Sequence, residues 1–179
     1  MKKIVLALTL SRIALGPLIF YLSVFSKIYF LALIIFFFAA LTDYLDGKLA
    51  RTYSVTSKFG ALLDPIADKL LLVFSLLSIV LITKDSFVGL ISALILAREL
   101  WIAGLREFAS KENIADATKV TLLAKSKTTF QFIAIAMFYF GFYAEKALIT
   151  FLASFVLFAA LLLGVQSAVH YTLKVINKI

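Results

Sequence analysis

The chain has no cysteine, one histidine (His170) and two prolines among 179 residues. Without cysteine there is neither a disulfide frame nor a thiolate metal site, and a lone histidine excludes a multi-histidine zinc or iron centre. Any bound metal must be hard and held by oxygen, which leaves Mg²⁺, Mn²⁺ or Ca²⁺. Charge is scarce as well. Only 16% of residues are charged against 63% hydrophobic, and the mean hydropathy is +1.06. A soluble globule is about half apolar and a quarter charged, so this composition belongs in lipid. Acidic residues are the scarcer charge, 10 against 18 lysines and arginines, for a net charge of +8. The cations sit at the ends of apolar runs, where they set topology and meet anionic headgroups; no nucleic-acid partner is expected.

What is present is a series of long apolar stretches. A helix needs about 20 residues to cross the hydrocarbon, and polar breaks divide the chain into six predicted spans near 4–25, 28–52, 57–83, 87–109, 122–143 and 146–172. Met1-Lys2-Lys3 before an apolar run resembles a secretory signal. The run carries Arg12 and no Ala-x-Ala cleavage site, so it reads as a retained first helix. There is no repeat, low-complexity segment or linker, which makes residues 1–179 one all-α integral membrane domain, a six-helix bundle. Lys27, Lys84 and Lys146 fall in the odd-numbered connections, and the other 15 of the 18 cations fall near the termini or the even-numbered ones. Positive-inside bias then puts both termini, and the connections after the second and fourth helices, in the cytoplasm.

Against that background the aspartates stand out. Of the 10 acidic residues, Asp43, Asp46, Asp64 and Asp68 fall within one stretch of the second and third helices. At about 100° per residue, Asp46, Gly47 and Ala50 lie roughly −60°, +40° and −20° from Asp43, and Ser57, Gly60 and Asp68 lie roughly +20°, −40° and +40° from Asp64. Two antiparallel helices joined by a turn at Tyr53-Ser54 can then face four carboxylates together. Without a cation such a cluster repels itself and takes up protons, and ionisable groups at membrane depth usually mark function. One or two divalent ions offset the repulsion. Gly47, Ala50 and Gly60 clear space beside the carboxylates, and Arg51 offers a fork suited to phosphate oxygens. The plainer alternative is a set of caps and ion pairs with Lys48, Lys58 and Lys69, which suits any one aspartate better than four on two shared faces. A divalent-cation transporter is another alternative, but its site would sit at the midplane on broken helices and would not need Arg51.

Written out, Asp43-x2-Asp46-Gly47-x2-Ala50-Arg51-x8-Gly60-x3-Asp64-x3-Asp68 resembles the full signature of the CDP-alcohol phosphotransferases. Leu8-Thr9-Leu10-Ser11-Arg12 with Pro17, the run from Ala61 to Leu70, Ala97-Arg98-Glu99-Leu100, Gly104-Leu105-Arg106-Glu107 and Ala124-Lys125-Ser126-Lys127-Thr128 are similar to blocks of bacterial phosphatidylglycerophosphate synthases. The Asn-x-Pro-Asn common at the start of relatives is absent. The resemblance implies a six-helix homodimer in the bacterial inner membrane with its active site on the cytoplasmic side. It implies CDP-diacylglycerol as donor, sn-glycerol 3-phosphate as acceptor, and phosphatidylglycerophosphate and CMP as products.

The resemblance also implies roles. Asp43 and Asp64 would bridge two Mg²⁺ or Mn²⁺ ions, Asp46 would complete one site, and Asp68 would line the other and act as general base. Gly47, Ala50, Arg51, Ser57 and Gly60 would meet the CDP part of the donor. A phosphate-bearing acceptor needs cations beside the metals, and Arg98, Arg106, Lys125 and Lys127 are the expected set, with Thr9 and Arg12 approaching from the first helix. The plainer reading of the two arginines is as anchors paired with Glu99 and Glu107. The same fold and donor could also serve inositol phosphate or phosphatidylglycerol as acceptor. Trp101, Phe36-Phe37-Phe38 and His170 are expected at lipid or the interface, and Pro65 removes one backbone bond beside Asp64.

Overall fold

In lipid no water is at hand for backbone N–H and C=O groups, so each apolar run has to close its hydrogen bonds within itself. The computed structural model describes residues 2–53, 58–114 and 122–178, with side chains over 7–42, 63–114 and 126–178. Among the described residues there are six helices and no strand: α1 (Lys2–Val24), α2 (Tyr29–Tyr53), α3 (Lys58–Thr83), α4 (Ser86–Lys111), α5 (Leu122–Tyr143) and α6 (Ala147–Ile176). Helix α5 has the expected bounds, and α6 continues to Ile176, past the expected end at 172. By length and composition, Ala7–Val24, Leu63–Thr83, Ser86–Lys111 and Ala147–Ile176 suffice to cross a membrane. Helix α2 contributes the shorter apolar stretch Tyr29–Thr42, and α5 opens with the polar run Lys125 to Thr129. Six helices match the expected number of helices, and among the described residues four of them are long and apolar enough to cross by this measure.

The described connections after α1, α3 and α5 each turn on one left-handed residue, Lys27 (φ 57°), Lys84 (φ 52°) and Glu145 (φ 52°). Asp85 begins α4 by accepting from the backbone N–H of Phe87 (2.7 Å) and Val88 (3.4 Å). That acid is a helix cap. The connections gather at one end of the bundle, where Lys27, Thr83, Asp85 and Lys146 line a cavity of about 980 Å³.

Helices α1 and α3 run parallel, and Gly16 sets how closely. A Cβ there would lie 3.0 Å from the Phe74 ring and 3.3 Å from the Leu70 carbonyl oxygen. One helical turn toward the N-terminus, the same approach carries Arg12 to Asp68, and Thr9 to Asp64. Gly141 does similar work in the α5–α6 hairpin, where a Cβ would meet Thr150 Cγ2 at 2.7 Å. The core packs Leu76, Ile79, Ile91, Ile95, Ile135 and Leu157, all buried. Inside it the Ser78 and Tyr139 hydroxyls are 2.7 Å apart, which satisfies two polar groups that would be costly alone in an apolar interior.

The Phe36-Phe37-Phe38 run divides. Phe37 and Phe38 are exposed as expected, but Phe36 is buried and stacks near Phe132 and Tyr139. A continuous aromatic run on a helix cannot keep all its members on one face. Trp101 is exposed and donates from its indole nitrogen to Thr172 Oγ1 (3.0 Å), and His170 is exposed near the end of α6.

Candidate active site

Asp64 and Asp68 stand one turn apart on α3, so helix geometry puts both carboxylates on the face that meets α1. Thr9 donates to Asp64 Oδ1 at 2.6 Å. Arg12 donates through one terminal nitrogen to Asp68 Oδ1 at 2.8 Å and through the other to Asp64 Oδ1 at 3.3 Å. The Arg12 side chain is wholly buried, whereas those of Asp64 and Asp68 are 40% and 49% exposed. Arg12 therefore spans both carboxylates from behind and leaves their other side toward open space.

The sequence reading gave Thr9 and Arg12 to the acceptor phosphate; the structure places both against the α3 carboxylates. A guanidinium sealed inside an apolar bundle needs an anion from its own chain, and the parallel register of α1 and α3 supplies two. Both residues support the carboxylates.

The donor chemistry suits a hard divalent ion. Asp64 and Asp68 are half-exposed oxygen donors whose Oδ1 atoms are oriented by hydrogen bonds, as ligating carboxylates are in metal sites. Among the described residues no group of three or more metal-binding side chains forms. Asp43, Asp46, Gly47, Ala50 and Arg51 lie on the last turns of α2, Gly60 on the first turn of α3 and Lys125 on the first turn of α5. Their side chains lie outside the described residues, and Ser57 lies outside them altogether.

Pro65, next to Asp64, is accommodated within an uninterrupted α3. Beside it opens a cavity of about 690 Å³, lined by Asp68 and Lys69 from α3, Arg98 and Arg106 from α4, and Lys127 from α5. One carboxylate of the site and three of the four cations expected to hold a phosphate thus share one space. Arg106 is exposed, while Arg98 and Lys127 are buried. Arg98 is held from three sides. Its Nε donates to the Gly164 carbonyl oxygen (2.9 Å), one terminal nitrogen to Glu99 Oε1 (2.9 Å) and the other to Ser167 Oγ (3.2 Å). Lys127 Nζ donates to the same Glu99 oxygen.

The pairing of Arg98 with Glu99 matches the plainer reading of that arginine, yet Arg98 lines the cavity too. Glu107 has no such place; it pairs with Lys111 at 2.8 Å on the exposed surface. Sequence reasoning missed α6. Gly164 and Ser167 are a small and a polar residue three apart, on one helical face of an otherwise apolar run. That spacing was the available signal.

Comparison with known proteins identifies a family. The model of the CDP-alcohol phosphatidyltransferase family matches residues 4–168. Three relatives bear the name CDP-diacylglycerol–glycerol-3-phosphate 3-phosphatidyltransferase. The one from Haemophilus influenzae is 34% identical over 169 residues, 92% of this chain and 88% of that protein. The one from Wigglesworthia glossinidia brevipalpis is 40% identical over 131 residues, covering 72% and 71%. The one from Cereibacter sphaeroides is 49% identical over 114 residues, 62% of this chain, and there the match spans about half of the relative, 49%.

Proposed function

The chain belongs to the CDP-alcohol phosphatidyltransferase family, and on that premise we propose that it transfers the phosphatidyl group of CDP-diacylglycerol to sn-glycerol 3-phosphate. The observation that carries this reading is the cavity shared by Asp68 and the cations Arg98, Arg106 and Lys127. A phosphate-bearing alcohol seated on those cations has its hydroxyl within the same space as a carboxylate able to take its proton. An uncharged acceptor would leave the excess positive charge of Arg98 and Lys127, which share one carboxylate in Glu99, unmatched in the cavity.

The chemistry follows from that placement. The acceptor hydroxyl forms a new bond to the phosphorus that carries diacylglycerol. The bond from that phosphorus to CMP breaks, and CMP leaves with the electron pair. The hydroxyl proton passes to Asp68, the general base of the reaction. Arg12 and Thr9 hold the two α3 carboxylates in fixed orientation while this occurs. Arg98, Arg106 and Lys127, with Lys125, orient the acceptor through its phosphate. Gly47, Ala50, Arg51, Ser57 and Gly60 form the wall for the CDP group. A pair of Mg²⁺ or Mn²⁺ ions would be held by Asp43, Asp46, Asp64 and Asp68 and would supply charge neutralisation at the diphosphate. The protein works as a homodimer in the bacterial inner membrane, crosses it six times, and opens its site to the cytoplasm together with both termini.

Arg106→Ala tests the acceptor assignment. A charge-assisted phosphate contact is worth about 1.5–3 kcal/mol, or roughly 10- to 150-fold in affinity. The KM for sn-glycerol 3-phosphate should rise by that order, with the KM for CDP-diacylglycerol little changed. Equal weakening of both substrates, or of neither, would remove Arg106 from the pocket.

A further inference from the structure

We infer that Glu99, backed by Gly164 and Ser167 of α6, is a positioning residue that presets Arg98 and Lys127 as a cradle for a phosphate monoester. The inference rests on the acceptor reading above and adds to it residues and a helix that reading does not use.

Two cations from different helices that face one cavity in a poorly hydrated interior repel each other. Left alone, Lys127 on α5 would swing away from Arg98 on α4. A single oxygen, Glu99 Oε1, accepts from both and ties them together. Glu99 is only 17% exposed, so water competes little for its charge. From the other side, α6 fixes the plane of Arg98 through the Gly164 carbonyl and the Ser167 hydroxyl. The α6 backbone passes beside both cations at Gly164, where a Cβ would lie at ordinary contact distance, 3.7 Å from Arg98 Nε and 3.9 Å from Lys127 Cδ.

The donor count shows what this arrangement is for. A guanidinium has five N–H donors and an ammonium three. Glu99, Gly164 and Ser167 take three from Arg98, and Glu99 takes one from Lys127. Two N–H groups remain on each, in fixed relation, beside the exposed Arg106. One carboxylate against two cations leaves the pair net positive. That suits the three terminal oxygens and the negative charge of a phosphate monoester, and it discriminates against neutral alcohols.

The test is a cycle on the purified full-length protein, reading KM for sn-glycerol 3-phosphate and for CDP-diacylglycerol separately. Lys127→Met and Glu99→Gln should each raise the acceptor KM roughly tenfold, the loss of one charge-assisted contact. The donor KM should stay the same, which also reports an intact fold. The double variant should be worse than Lys127→Met alone by clearly less than the product of the two single effects, because Glu99 acts partly through Lys127 and partly through Arg98. Ser167→Ala removes the long bond that Arg98 donates to a neutral hydroxyl and should raise the acceptor KM about threefold. If Lys127→Met raises the acceptor KM while Glu99→Gln does not, or if their effects multiply in full, the positioning role is wrong and the acceptor reading stands. If Lys127→Met itself leaves the acceptor KM unchanged, the acceptor reading fails and takes this inference with it. Should Glu99→Gln lose donor turnover through misfolding, Ser167→Ala decides, and an unchanged acceptor KM there overturns the role.

Discussion

Arg12→Lys separates two roles for the one arginine that α1 brings to the site. In the structure Arg12 bridges Asp64 (3.3 Å) and Asp68 (2.8 Å) and has no exposed side-chain surface. Lysine keeps the charge but replaces a planar fork with a single point charge, so one of the two carboxylates loses its contact with residue 12. A charge-assisted hydrogen bond contributes about 1.5–3 kcal/mol. Because the Asp64 and Asp68 side chains are 40% and 49% exposed, water screens part of this, and the low end applies. The expected effect is a fall in kcat of about tenfold at 1.4 kcal/mol per decade. It should fall on kcat because the misoriented carboxylates act in the chemical step, with the acceptor KM nearly constant. The assay is steady-state CMP release by purified protein in detergent, with each substrate varied in turn. A tenfold rise in the acceptor KM at constant kcat would refute the reasoning, since that is what a phosphate ligand would show.

Other perturbations are expected to behave as follows. Asp64→Asn should abolish transfer while the protein still inserts; chelation of divalent metal should do the same to the unmodified protein, with activity restored by Mg²⁺ or Mn²⁺. Gly16→Val should lower thermal stability by about 1–3 kcal/mol through overpacking, since even a Cβ would be 3.0 Å from Phe74, and it should lower turnover by separating Thr9 and Arg12 from α3. Gly104→Ala meets nothing within 4 Å and should leave turnover unchanged, which makes it the control for that experiment. Tyr139→Phe removes the 2.7 Å contact with Ser78 and should cost about 0.5–1.5 kcal/mol in stability, with both KM values unmoved.

Much of this architecture was legible in the sequence for a simple physical reason. A helix in lipid must be apolar along its length and polar where it ends, so Lys27, Lys84 and Glu145-Lys146 mark turns almost to the residue. The grouping of Asp64 with Asp68 followed from helical spacing alone, and so did the gathering of Arg98 and Arg106 on α4, though not their shared cavity with Lys127. What spacing cannot supply is the register between helices. Thr9, Arg12 and Gly16 lie within roughly 60° of one another on α1, a face that announces contact without naming the partner. Only the close approach at Leu70 and Phe74 assigns that face to α3 and gives Arg12 to the aspartates. The role of α6 was hidden for a related reason. Its contact to Arg98 is made partly by a backbone carbonyl, at Gly164, and a backbone atom leaves little trace in residue identity. Phe36 went astray because composition marks an aromatic run as a unit while the helix turns its members to different faces.

The most direct test of the central claim is an acceptor panel. Purified protein is supplied with CDP-diacylglycerol and Mg²⁺ and offered sn-glycerol 3-phosphate, inositol phosphate, glycerol or phosphatidylglycerol, with CMP and lipid product both quantified. The cation-lined cavity beside Asp68 predicts CMP release matched one for one by phosphatidylglycerophosphate with sn-glycerol 3-phosphate, and little turnover with glycerol. Equal or faster turnover with an uncharged acceptor, or CMP release with none of the four, would contradict it.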